Sequence, residues 1–361
     1  MQTLPSQDKP GGQINALTST RAVAAIMVVI HHYGKQLFPF NQTKNLFQSG
    51  NLAVSYFFVL SGFVLFVAHW DKQIDYVNYL RRRAGRILPL YYVALAAMIA
   101  LMLWQGDVPL NMKRQVAYSA LLIQSYMPGY ALTLNGPAWS ISVELLFYLL
   151  FPWLLWLMLR HLRVFAALWV VLFVTAQVLH MHYFEQRHSL PDAIVDPLFF
   201  GPYTHMSQFM TGMIGGYIYN KIRQRPQWPW YVPPVVAVIT FALIAYRPDN
   251  ISYHVGLIAP VFMLLIIAIA KVKAPILNLP VLVFMGEISY GIYILQAPVY
   301  RGMDMFFKRY LPSAGEAGVF WLSMVVLIVL SAVLYKLVEQ PLRRVISGIA
   351  SPQPSPKERE S

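Results

Sequence analysis

Apolar runs of membrane-crossing length recur along the whole chain, at about residues 15–34, 51–70, 87–105, 137–159, 163–182, 203–220, 231–247, 253–270, 280–300 and 318–338. About 20 helical residues cross the hydrocarbon core of a bilayer, and inside it the backbone must bond to itself. The expected fold is therefore an all-α, polytopic membrane protein with about ten transmembrane helices. Composition closes off the alternatives. Of the 361 residues 57% are hydrophobic and 12% charged, against roughly 25% charged in an average soluble protein. Cytosolic enzymes, secreted domains and disordered scaffolds are excluded on that ground. With no cysteine in the chain, disulfides, iron–sulfur clusters and thiolate metal sites are excluded as well.

Residues 1–14 read as a cytoplasmic N-terminal segment, 15–345 as one transmembrane domain and 346–361 as a disordered cytoplasmic tail. No A-x-A cleavage site follows the first apolar run, which reads as a retained helix. Stretch 115–126 is apolar but too short to span, and reads as interfacial or re-entrant. With the N-terminus placed inside, the inner segments carry a two-to-one excess of Lys and Arg over the outer ones. That bias puts both termini in the cytoplasm of a multi-pass protein of the inner (plasma) membrane. The net charge of +13 then belongs to cytoplasmic loops facing anionic lipid, and no nucleic-acid partner is implied.

Ionisable groups at membrane depth are costly and are functional candidates. The first run carries Arg21 and the pair His31–His32. Arg21 and His32 are 11 residues apart, close to three helical turns, hence on one face and about 16 Å apart along the axis. The fourth run, NGPAWSISVELLFYLLFP, carries Glu144, about two turns in from Pro137. Its depth matches His32, and a His–Glu pair would satisfy both groups and strengthen the imidazole as a base. Four arginines, Arg81, Arg82, Arg83 and Arg86, cluster before the third run, where guanidinium forks suit phosphate. The ninth run holds Glu287, Tyr290, Tyr293 and Gln296, and Glu339 closes the last run beside arginines with which it is expected to pair. Each group also has a structural reading. Arg21 snorkels and the histidines mark a helix end; Glu144 ties helices through Trp139, Ser140 or Ser142; the arginines are a positive-inside signal; the ninth-run groups make interhelical hydrogen bonds. Ser61 and Gly62 in the second run offer close helix approach. No spacing among the other histidines suits a metal, and no P-loop, GxSxG, HExxH or dinucleotide fingerprint occurs.

Six segments, LTSTRAVAAIMVVIHH, NLAVSYFFVLSGFVLF, RRRAGRILPLYY, WSISVELLFYLLFP, GEISYGIYILQAPV and VEQPLRR, follow one another in an order and spacing that resembles membrane acyltransferase family 3 over about residues 15–345. The resemblance implies ten core helices and transfer of an acyl group, usually acetyl, from cytoplasmic acyl-CoA to a hydroxyl of a glycan or lipid-linked sugar at the outer face. It lays the family's Arg-x10-His element on Arg21 and His32, leaving His31 as the spectator. It lays the acyl-CoA-binding arginines on Arg81 to Arg86, and the carboxylate of the WS-x-SVE element on Glu144. Two positions depart from the pattern: Leu145 stands where many members carry a second acid, and Gln296 where the ninth helix commonly carries histidine. The esterase-like extension of some relatives is not seen in the sequence, so a stand-alone transmembrane form is expected.

Joined to the residue reading, the resemblance implies His32 as general base, oriented by Glu144, with Arg21 and Arg81–Arg86 binding acyl-CoA. His31, Trp139, Ser142, Glu287, Tyr290 and Gln296 line the acceptor site or hold it. Direct transfer and an acyl-histidine intermediate both fit. No metal and no tightly bound cofactor is required; acyl-CoA is a co-substrate. The rival function is a proton-coupled transporter or flippase of a glycan intermediate, since buried Arg, His and Glu also serve proton coupling. The sequence shows neither an internal repeat nor paired broken helices to support it.

Overall fold

A computed structural model describes residues 14–348 except 44, 188, 249 and 250. The N-terminal segment expected over 1–14 and the tail expected over 346–361 therefore lie almost wholly outside the described residues. The described residues hold helices and no strand. In chain order they are α1 Asn15–Val29, α2 Leu52–His69, α3 Tyr76–Gln105, α4 Met112–Ala120, α5 Trp139–Arg160, α6 Leu162–Phe184 and α7 Asp192–Phe199. There follow α8 Pro202–Ile222, α9 Val232–Ala245, α10 Ala259–Ala270, α11 Pro280–Glu287, α12 Ser289–Tyr310, α13 Glu316–Leu334 and α14 Gln340–Ser347. Two π-helical turns prolong helices: Ile30–Gly34 follows α1, and Tyr335–Glu339 joins α13 to α14.

Each expected apolar run contains a helix, although that expected over 253–270 is helical only from Ala259. Five helical segments are long and apolar enough to cross a membrane: α2, α3, Gly136–Arg160, α6 and Glu316–Ser347. A sixth arises if α11 and α12, bent by 54°, count as one span, and α9 and α10 are shorter apolar helices. The chain is thus a helical membrane protein. α8 is helical throughout but polar, and it buries Thr204, His205, Ser207, Gln208 and Thr211 among its neighbours. α3 begins at Tyr76, ahead of the apolar run, because Asp75 caps it by accepting from the Asn78 N–H at 3.2 Å. The arginine cluster is therefore part of a helix.

The bundle centres on the crossing of α2 with α8. Gly62 and Gly212 make it possible: a Cβ on Gly62 would lie 2.0 Å from the Phe209 carbonyl oxygen, and one on Gly212 1.9 Å from that of Val59. Backbones this close are the signature of small-residue packing in membranes. α1 lies against α11, α12 and α2, and α12 runs between α13 and α3. Stretch 115–126 is α4 followed by an inward tuck. Leu122 takes a left-handed φ of 57°, and the tuck is tied to the start of α5 by Ser125 Oγ to Trp139 O (2.7 Å) and Ser142 Oγ to Leu122 O (2.6 Å). Asp196 on α7 pins the next loop by accepting from the N–H of Gly129 at 2.7 Å. Burial pushes its carboxyl up while those backbone donors hold it down.

Candidate active site

Two cavities occupy opposite ends of the same helices. One, about 350 Å³, lies at the first turns of α1 and α3 and the far end of α13, and receives Arg21, Arg83, Arg86, Arg343, Glu287 and Glu339. The other, about 840 Å³, lies where α1 ends and α13 begins, and receives His32, Tyr33, Lys35, Tyr300 and Arg301. Arg21 also borders a cleft of about 40 Å³ that runs into the bundle toward Glu144, Tyr290 and Tyr293.

The π turn at Ile30–Gly34 separates the two histidines. His31 is half-buried and its Nδ1 lies 3.3 Å from the Phe47 carbonyl. His32 is exposed into the large cavity and makes no hydrogen bond among the described residues. Its ring meets the edge of His31 with centroids 5.1 Å apart. Tyr33 stacks on Tyr300 at 3.9 Å and lines the wall beside it. An imidazole open to a chamber, unclaimed by the protein, is what a base awaiting a substrate hydroxyl requires.

Glu144 does not join it. Its Oε1 accepts from Ser61 Oγ at 3.1 Å and from Tyr148 OH at 2.5 Å, and the charge it acts on is that of Arg21. The expected His32–Glu144 pair is absent among the described residues. Matching the depth of Glu144 to His32 requires Pro137 to lie at the surface, but Pro137, Ala138 and Trp139 are buried. Two turns in from there reaches the level of Arg21 instead.

The arginine cluster divides. Arg83 and Arg86 turn into the small cavity, Arg83 with its guanidinium 5.8 Å from the Tyr148 ring, while Arg81 and Arg82 are exposed on the helix surface. Arg343 joins them from α14. It stands on the VEQPLRR segment one turn after Glu339, the carboxylate with which the sequence leads one to pair it. Glu339 is 3% exposed, and no ion pair within 4.0 Å joins it to an arginine among the described residues. Its Oε2 and the Nε atoms of Arg21 and Arg83 are buried without a partner. Orphaned polar atoms around one cavity mark a place for a ligand. Glu287 accepts from Tyr335 OH at 3.1 Å in the second π turn, and single π turns of this kind cluster at functional sites.

The remaining candidates serve structure. Tyr290 OH donates to Ile87 O at 2.7 Å, Tyr293 OH to Pro137 O at 2.8 Å, and Gln296 Nε2 to Tyr293 O at 2.6 Å. Trp139 sits in an aromatic box with Phe58, His205 and His254. That box belongs to a histidine cluster, His180, His205 and His254, that spacing did not reveal. Phe199 O accepts from His205 Nε2 (3.0 Å) and His254 Nε2 (2.6 Å). Gln208 Nε2 donates to His205 Nδ1 at 2.8 Å and Asn51 Nδ2 lies 3.3 Å from His254 Nδ1. Both nitrogens of both rings are thus committed, and the cluster is a neutral hydrogen-bonded staple rather than a metal centre. No group of metal-ligating side chains occurs among the described residues.

An acyltransferase domain matches residues 14–336. The chain is similar to an acyltransferase, MdmB, of Streptomyces mycarofaciens, 28% identical with 92% of each chain covered. It is also similar to the O-acetyltransferase OatA of Staphylococcus aureus, 21% identical over 91% of this chain. The chain spans 57% of the length of the latter. No solved structure matches.

Proposed function

Since the chain belongs to membrane acyltransferase family 3, whose chemistry needs an acyl donor and a hydroxyl acceptor, we propose that it is an O-acyltransferase carrying an acyl group, acetyl by preference, across the bilayer. The donor is cytoplasmic acyl-CoA and the acceptor a glycan or lipid-linked sugar at the outer face of the inner membrane. The chain crosses that membrane ten times, with both termini inside. The observation that carries this reading is the pairing of an arginine-lined cavity with a histidine-lined one at opposite ends of shared helices.

In this reading Arg83, Arg86 and Arg343 grip the phosphates of the donor, a task for guanidinium forks. The pantetheine arm passes Arg21, which borders the same cleft as Glu144, and covers the roughly 16 Å of α1 that separates Arg21 from His32. His32 takes the proton of the acceptor hydroxyl as its oxygen attacks the thioester carbonyl. The C–O bond forms, the C–S bond breaks, and the departing thiolate takes the proton back from the imidazolium. The acceptor lies against Tyr33 and Tyr300, a stacked surface suited to a sugar face. The test is purified protein with radiolabelled acetyl-CoA and candidate glycans. Label is expected to move to a glycan; glycan accumulation in vesicles without labelling would favour a transporter and overturn the proposal.

A further inference from the structure

α9 is attached to the bundle on one side only. It packs on α10, and between it and the α1–α2 wall runs a groove of about 320 Å³. The groove is apolar: Ala24 and Met27 of α1 and Leu52 of α2 face Ala237, Phe241 and Ile244 of α9 across it. The hydroxyls of Thr20, Tyr56 and Thr240 along it are already engaged. Thr20 Oγ1 donates to Leu17 O at 2.8 Å and takes the Tyr56 hydroxyl at 2.5 Å, and Thr240 Oγ1 donates to Val236 O at 2.7 Å. Water finds few partners along so apolar a wall, and an apolar occupant gains the benefit of burial. With 14 residues, α9 is about 21 Å long, enough to line one leaflet of a core about 30 Å thick.

Both ends of the groove carry cations, but they differ in how many are free to meet a ligand. At the Pro233–Leu277 end the segments leading into α9 and Leu277 carry Arg225 and Lys273, both exposed and in no ion pair among the described residues. Lys271 beside them is already spent on the carbonyls of Ile222 (2.9 Å) and Arg225 (2.8 Å). Trp230 and Tyr231 stand 76% and 53% exposed at the same end, where such rings favour the headgroup level. At the other end Arg247 donates inward to Ile251 O at 2.7 Å. We propose that the groove holds one acyl chain of an anionic phospholipid, whose headgroup meets Arg225 and Lys273. The lipid fills the gap that α9 leaves.

Native mass spectrometry of the full chain in mild detergent tests this, with phosphatidylglycerol or phosphatidylcholine added back after delipidation. Wild type is expected to retain one phospholipid, to prefer phosphatidylglycerol, and to unfold at a higher temperature when it is restored. Ala237→Trp fills the groove and should lose the adduct. Val238→Trp, one residue on and 67% exposed on the outward face, should keep it. Ala24→Phe fills the opposite wall and serves if the α9 variant fails to fold. Arg225→Ala with Lys273→Ala should abolish the preference for phosphatidylglycerol. Retention of the lipid by both groove-filling variants, or a lipid-free dimer sealed along α9, overturns the proposal.

Discussion

The histidine cavity and the arginine cavity are each lined by residues of a π-helical turn, one closing α1 and the other joining α13 to α14, yet they treat charge in different ways. Around the histidine cavity, two of the three cations that line it are paired in place: Arg301 meets Asp107 at 2.6 Å and Lys308 meets Asp304 at 2.7 Å, while Lys35 is in no ion pair among the described residues. Beside these charges the imidazole of His32 and the stacked rings of Tyr33 and Tyr300 face the open volume. Around the arginine cavity no ion pair forms among the described residues, and guanidinium and carboxylate atoms are left buried without partners. One end is built to react and the other to hold, and a charged group has a different value at each.

The strongest way to break that comparison is at His32. Removing a general base costs about 10²–10⁴-fold in rate, so His32→Ala should abolish transfer in a single-turnover assay with labelled acetyl-CoA. His31→Ala, which loses a bond to the Phe47 carbonyl and the ring edge against His32, should retain most of it. Equal losses in the two variants would remove the distinction that the π turn draws between adjacent histidines.

The arginines give the next largest effect. A hydrogen bond to a charged group contributes about 1.5–3 kcal/mol, so Arg86→Ala should raise the donor KM about tenfold to a hundredfold with little change in kcat. Arg83→Ala should do the same. Arg81→Ala and Arg82→Ala, both exposed and outside the cavity, should leave the donor KM nearly unchanged. A uniform response across all four would return the cluster to a topology signal.

What the sequence made legible follows the same division. Helices, arginines and the histidine pair announce themselves because apolar length and buried charge are local properties. Arg21, His32 and Glu144 were all visible in this way. Their pairing was not, because it depends on Pro137 lying at the surface, and only the folded chain shows that Pro137 is buried. The place of Arg343 in the cavity was hidden for a related reason: α14 turns it back under α3, where Gly85 meets Ser347 and the Arg343 carbonyl. The His180–His205–His254 staple was beyond spacing altogether, since three separate segments and the Phe199 carbonyl create it.

Glu144 tests to which end a residue belongs when both claim it. Its carboxylate is held by Ser61 and Tyr148 and cancels part of the charge of Arg21. Glu144→Gln should therefore act on the donor. Freed of that cancellation, Arg21 makes the cavity shared with Arg83, Arg86 and Arg343 more positive, and the donor KM should fall about fivefold, the equivalent of about 1 kcal/mol. The pH profile of kcat, which reports the base, should not move. A shifted profile would restore the carboxylate to His32 and erase the separation of the two cavities.

Arg301 supplies the smallest effect and the finest discrimination. It is an arginine on the wall of a cavity, as Arg86 is, but it already holds Asp107 at 2.6 Å and Gln105 at 2.6 Å, with the Asp107 side chain 63% exposed. Exposed pairs of this kind contribute about 0–1 kcal/mol and are screened by salt. Arg301→Ala should therefore change the acceptor KM by no more than about fivefold, leave the donor KM alone, and be reproduced in part by raising the salt on wild type. If it matched Arg86→Ala in size, the guanidinium would be meeting substrate rather than Asp107. The histidine cavity would then be a charged holding site as well, and the contrast between the two ends would rest on the imidazole alone.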